Sequence, residues 1–135
     1  MKCVMIVDET LPAGIIANTT AALGISLASA IEGLLGRALI DGEGRLHRGI
    51  TNTPIPILVL PREELKAKYD ELLQQAETDL LVIGFSETAQ KSLDYEDYAI
   101  KLAAAKGDEI RYLGICLYGP KKKINRLTGS LKMLR

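Results

Sequence analysis

At 135 residues the chain has the length of one domain and enough apolar side chains to enclose a core. Its 47% hydrophobic and 25% charged content is ordinary for a globular protein. The 17 basic and 17 acidic residues cancel, which excludes an overall field drawing the protein to nucleic acid or to an acidic membrane.

Cys3–Val7 is a continuous apolar run ending at Asp8, the pattern of a central strand covered on both faces. Thr10–Ala13 makes a turn, Pro12 suits the first helical turn, and a helix is predicted from there to about Leu35. Thr10–Ile31 is uncharged for 22 residues, long enough to test as a membrane span. Pro12, Asn18, Thr19, Thr20, Ser26 and Ser29 within it, and Asp8 and Glu9 before it, argue instead for a helix buried on most sides. No membrane partner is expected. Ile16, Leu23, Leu27, Ile31 and Leu34 form a core stripe, while Gly14, Ala17, Ala21, Gly24 and Ala28 form a small-residue stripe. That second stripe allows close approach by the sheet or by a second subunit.

Gly36–Thr53 is the least regular stretch, where Asp41-Gly42 and Glu43-Gly44 signal a small hairpin or an ordered loop. Pro54 and Pro56 flank the start of IPILVL, so this strand lies at an edge or begins at the proline. Pro61 opens a surface helix through Ala76, with Glu63 and Glu64 at its positive end and Leu65, Tyr69, Leu72 and Ala76 on its apolar face. LLVIGF, after Asp79, is a third strand. Ser86, Thr88 and Asp94 are N-cap residues that divide Ser86–Lys106 into two helical pieces ending at Gly107. Ile110–Leu117 is a fourth strand, and Gly119-Pro120 starts a short helix that Thr128-Gly129 ends. With no repeat or linker, residues 1–135 read as a single domain. Strands alternating with helices give a three-layer α/β/α fold around a four-stranded mixed sheet.

Cys3 and Cys116 each sit in an apolar run and form no C-x-x-C pair, so they read as free thiols in a reducing cytoplasm. Neither a metal-ligand cluster nor a Walker or G-x-G-x-x-G loop is present, and no cofactor is expected. Open α/β sheets bind ligands at strand carboxyl ends, which singles out Asp8, Asn18, Thr19 and Thr20, and then Ser86, Glu87 and Gln90. The threonines and Asn18 would serve equally to bond nearby backbone, and Glu87 to favour a helix start. Tyr118-Gly119-Pro120-Lys121-Lys122 leads into a helix whose free N–H groups favour an anion. Six basic residues and no acid lie between Gly119 and Arg135, the chain's one pointer to RNA; a solvated helix face explains them as well. His47 is the sole histidine and has Asp41 or Glu43 as an orienting carboxylate. With no nucleophile beside it, a loop-bracing role fits better.

The stretch Tyr112–Leu134, with its Leu-Gly-Ile strand, Gly-Pro helix start and Thr-Gly-x-Leu-Lys ending, resembles the end of peptidyl-tRNA hydrolase II. Asp8–Ala17, with Leu-x-x-Gly-x-x-Ala, resembles the opening of the same family. Over nearly its full length the chain resembles a bacterial family, domain-of-unknown-function family two thousand. That likeness rests on the strand–loop–Asn helix start, Asp41-x-x-Gly44-x-x-His47 and Gly119-Pro120-Lys121-Lys122. The resemblance implies the hydrolase fold, a fourth strand antiparallel to its neighbour, and a homodimer. It does not carry the catalytic residues: Ile15 stands where the hydrolases have lysine, Ala22 where they have histidine, and Phe85 where they have an acid, leaving only Gln90. The expected function is therefore binding of a small or anionic ligand between the first loop, Ser86–Gln90 and Tyr118–Lys122. The alternatives are hydrolysis of a tRNA ester by rearranged groups such as Glu87 and His47, and a dimeric interaction protein without a ligand.

Overall fold

The computed structural model describes residues 1–75 and 79–135. Its centre is β1 (Lys2–Asp8), whose residues from Cys3 onward are all buried, as the unbroken apolar run requires. β1 pairs in parallel with β4 (Ile57–Leu60) and antiparallel with β6 (Tyr112–Gly119). β5 (Leu81–Ser86) pairs antiparallel with β6 on the outer side, and β7 (Lys132–Met133) pairs antiparallel with β4. The order is β5-β6-β1-β4-β7. The sheet thus has five strands, not four: the two-residue β7 carries no periodicity that could announce it, and β4 acquires it as an edge partner. A separate two-stranded hairpin joins β2 (Leu39–Ile40) to β3 (Leu46–His47).

Alternation along the strands sends two sets of side chains to opposite faces. Val4, Ile6, Leu58, Ile115 and Leu117 point toward α2 (Arg62–Gln74) and α5 (Lys121–Thr128), which cover them with Leu65, Leu72, Ile124 and Leu127. Cys3, Met5 and Cys116 point the other way, under Leu23 and Leu27 of α1 (Ala13–Ala30). Each buried Leu or Ile contributes about 2 kcal/mol on leaving water. α2 is described to Gln75; the predicted continuation to Ala76 lies outside the described residues.

Two expectations for α1 are corrected. It ends at Ala30 rather than near Leu35, because Ile31 turns extended and Gly33 follows with φ of 81°. It is also not buried on most sides: only Thr19, Leu23 and Leu27 of its 18 residues are buried. An uncharged sequence does not enforce burial when most of its residues are alanine, glycine and serine. Among the described residues, α1 is the one helix long and apolar enough to cross a membrane by length and composition. Its Leu23 and Leu27 are used on the sheet. The two helical pieces after β5 are α3 (Glu87–Gln90), capped by the Ser86 hydroxyl, and α4 (Tyr95–Ala104), capped by Asp94. Ser86 and Asp94 are two of the predicted caps; Thr88, the third, instead lies inside α3.

Candidate functional site

β1, β4 and β5 run the same way, so their carboxyl ends gather at one end of the sheet. β6 runs against them and begins there, which brings Arg111, just before it, beside Asp8. Asp8 is fully buried. Its Oδ1 accepts from the Thr10 backbone N–H at 2.8 Å and from the Thr10 hydroxyl at 2.6 Å. Its Oδ2 accepts from Arg111 Nη2 at 3.0 Å, while Arg111 Nη1 donates to Glu87 Oε2 at 3.0 Å. A backbone bond from Glu87 N–H to the Arg111 carbonyl (2.8 Å) closes the array. Burial pushes the Asp8 carboxyl upward, but the Thr10 and Arg111 bonds outweigh it and hold its pKa below the ordinary value. Asp8 is therefore an ionised acceptor and a weak base.

Two buried polar atoms in this region lack a partner: Thr19 Oγ1 and Arg111 Nε. Thr19 occupies a core position of α1 and lies against Gly114, where a Cβ would come within 2.5 Å of Thr19 Cγ2. Gly114 pairs with Val7, one residue before Asp8, which places Thr19 at the same sheet end. A groove of about 410 Å³ lies alongside, between Ala22 and Ser26 of α1 and Tyr95 and Tyr98 of α4, over Phe85. Asn18 is exposed and precedes Ala22 and Ser26 at four-residue spacing, so it continues the same face of α1 toward the mouth. Ser86 is buried and its hydroxyl accepts from Ala89 N–H at 3.3 Å, so it is used as a cap. Gln90 closes α3 and is half-buried.

The structure separates the other predicted segment from this mouth. Gly119 pairs with Lys2, so Tyr118, Lys121 and Lys122 lie at the amino end of β1, roughly 20 Å of strand from Asp8. An antiparallel strand offers its start, not its finish, to its neighbour's carboxyl end. The expectation that three segments converge on one ligand is thereby corrected. Tyr118 is half-buried against the Cys3–Cys116 core, while Lys121 and Lys122 are exposed in the first turn of α5. His47 also lies away from Glu87, because the 18 residues of α1 carry the chain back about 27 Å before the hairpin begins. Its Nε2 is 2.8 Å from Asp41 Oδ2, so of the two carboxylates considered Asp41 is the partner. The Cys3 and Cys116 sulfurs sit 3.8 Å apart, both fully buried, and the bond to Cys3 together with burial pushes the Cys116 thiol well up.

Arg111 is the residue the sequence reading missed. The signal was present: it is the one charged residue between Glu109 and Lys121, placed at the start of a strand already expected to run antiparallel.

A family model described as protein of unknown function (DUF2000) matches residues 1–135. No curated protein matches the chain. Among solved structures it is similar to a protein of unknown function, Atu0240, from Agrobacterium tumefaciens strain C58. The TM-score is 0.87 at 18% identity, over 99% of this chain and 97% of that one. That likeness is one of fold.

Proposed function

We propose, for a chain that belongs to the DUF2000 family of proteins of unknown function, that it binds a small polar ligand at the carboxyl ends of β1 and β5. The observation behind this reading is the Asp8–Arg111–Glu87 array with its two unpartnered buried atoms, Thr19 Oγ1 and Arg111 Nε, beside an open groove. Buried polar groups are normally satisfied, and a ligand is one way to satisfy these. Arg111 already faces two carboxylates, so the array favours a neutral or zwitterionic polar ligand over a simple anion. Binding without bond cleavage fits the side chains: Asp8 is held ionised, Glu87 is ion-paired, and Ile15, Ala22 and Phe85 bring no proton-transfer group. The likeness to peptidyl-tRNA hydrolase II is kept as one of architecture. Thermal-shift titration of the protein with a broad metabolite panel tests the reading. A stabilising ligand whose effect is lost in Glu87→Gln supports it, and a flat panel counts against it.

A second reading, self-association into a homodimer, is favoured by the uncovered face of α1. Ala13, Gly14, Ala17, Ala21, Ile25 and Ala28 are exposed on a helix without a single charge, Ile25 at 75%. Soluble monomers rarely expose large apolar patches. Light scattering on wild type and Ile25→Lys decides this: a dimer that the lysine splits is expected, and a wild-type monomer at high concentration removes the reading.

A further inference from the structure

Between α1 and β4 the chain makes an excursion, residues 35–52, in which no side chain is buried. Its base is nevertheless tied shut. Leu35 bridges Thr51, Gly36 N–H donates to the Ile50 carbonyl at 2.8 Å, and Asn52 N–H donates to the Leu34 carbonyl at 2.8 Å. The Gly36 carbonyl lies so close to Gly49 that no Cβ would fit there. The tip is organised by Asp41, whose carboxylate accepts from Glu43 N–H (2.9 Å), Arg45 N–H (3.1 Å), Arg45 Nε (3.1 Å) and His47 Nε2 (2.8 Å). A lone two-stranded hairpin is marginal in water. This one has a polar scaffold devoted to its shape.

That scaffold also sets the chemistry of the imidazole. A carboxylate only accepts, so Nε2 carries the hydrogen and Nδ1 is left uncommitted. His47 lines a concavity of about 640 Å³ together with Arg37, Arg48, Leu39, Leu46 and Ile50. Among the described residues neither Arg37 nor Arg48 has a carboxylate partner; the hairpin's acids are engaged by Arg45 and His47. Arg37 and Arg48, without carboxylate partners among the described residues, and the oriented His47 therefore line one hollow with three exposed aliphatic residues.

We propose that this hollow is a second binding site, for a phosphate monoester carried on an aromatic or branched aliphatic body. Guanidinium forks match phosphate oxygens in pairs. Leu39, Leu46 and Ile50 supply the apolar wall that an inorganic ion would not use. The site is independent of the strand-end mouth, from which the length of α1 separates it.

The test is a titration of the full ¹⁵N-labelled chain with phenyl phosphate and, separately, inorganic phosphate at low salt, reading backbone amides and arginine Nε signals. Saturable shifts at Arg37, Arg48 and the hairpin amides are expected, with phenyl phosphate bound at least tenfold more tightly. Arg37→Ala combined with Arg48→Ala should weaken both probes at least tenfold. Leu46→Ser should remove the preference for phenyl phosphate and leave inorganic phosphate unchanged. All three positions are exposed, and unchanged signals from the sheet verify folding of the variants. Shifts absent from the hairpin, affinity unaffected by the double substitution, or equal binding of the two probes would each overturn the proposal. So would a dimer in which the hairpin amides are protected and phenyl phosphate moves none of them.

Discussion

Replacing Arg111 by methionine removes the guanidinium and keeps an unbranched, adaptable stem. Asp8, fully buried, then loses the bond from Arg111 Nη2 and keeps only those from Thr10. Removing one partner of a buried pair costs about 3–5 kcal/mol, and the retained Thr10 bonds put this case at the lower end, about 3 kcal/mol. Glu87, partly exposed, is rehydrated, so Glu87→Gln should cost less than about 1 kcal/mol. For a domain of this size the Arg111→Met penalty corresponds to a fall of about 10 °C in Tm. Urea unfolding at a series of pH values is the assay. In the wild type the folded Asp8 pKa lies below its unfolded value. Its stabilisation is therefore complete above the unfolded value near pH 4 and is lost as pH falls through the folded one. The gap between wild type and Arg111→Met should accordingly narrow from pH 7 to about pH 3. A gap below about 1 kcal/mol at pH 7, or one that does not change with pH, would refute the account of Asp8 as a buried charge held by Arg111.

Thr19→Val keeps the shape and deletes a buried hydroxyl that has no partner, so the ligand-free protein should gain about 1 kcal/mol in urea unfolding. A loss instead would mean that the hydroxyl is satisfied. Gly114→Ala drives a methyl into Thr19 Cγ2, and into Leu23 Cδ1 at 3.3 Å, and should cost about 2 kcal/mol by lifting α1 from the sheet. An aromatic disulfide reagent should label Cys3 and Cys116 only as fast as the protein unfolds, since both are fully buried; burst labelling of the native protein would contradict their placement.

Much of the fold was legible from the chain, because long apolar runs and explicit caps leave few options. Cys3–Val7 reads as a central strand and is one, and Ser86 and Asp94 cap the two helices assigned to them. What escaped was whatever depends on a partner in space. β7 is too short to show alternation and exists only because β4 has a free side. The exposure of α1 turns on how many of its faces the fold covers, which no periodicity states. The strand-end mouth was found in half: Asp8 and Glu87 were identified as members, but Arg111 entered only when the direction of β6 was followed through. The same direction removed Tyr118 and Lys121 from the group. Asp41 and His47 were recognised as a candidate pair from their spacing, yet Arg37 and Arg48 stood unnoticed beside them because exposed arginines in loops look alike until they share a hollow.

β1 precedes the other strands of the sheet in sequence and is its middle strand. Its parallel neighbour β4 follows only after α1 and the hairpin, and its antiparallel neighbour β6, joined through Lys2 and Gly119, only after β5 and α4. Until β6 emerges, the apolar run Cys3–Val7 keeps one edge open, with an uncharged helix behind it. Pairings so distant in sequence slow folding and prolong the exposure of unpaired strands. A nascent chain arrested before β6 should therefore be a chaperone client, and one released after β7 should not.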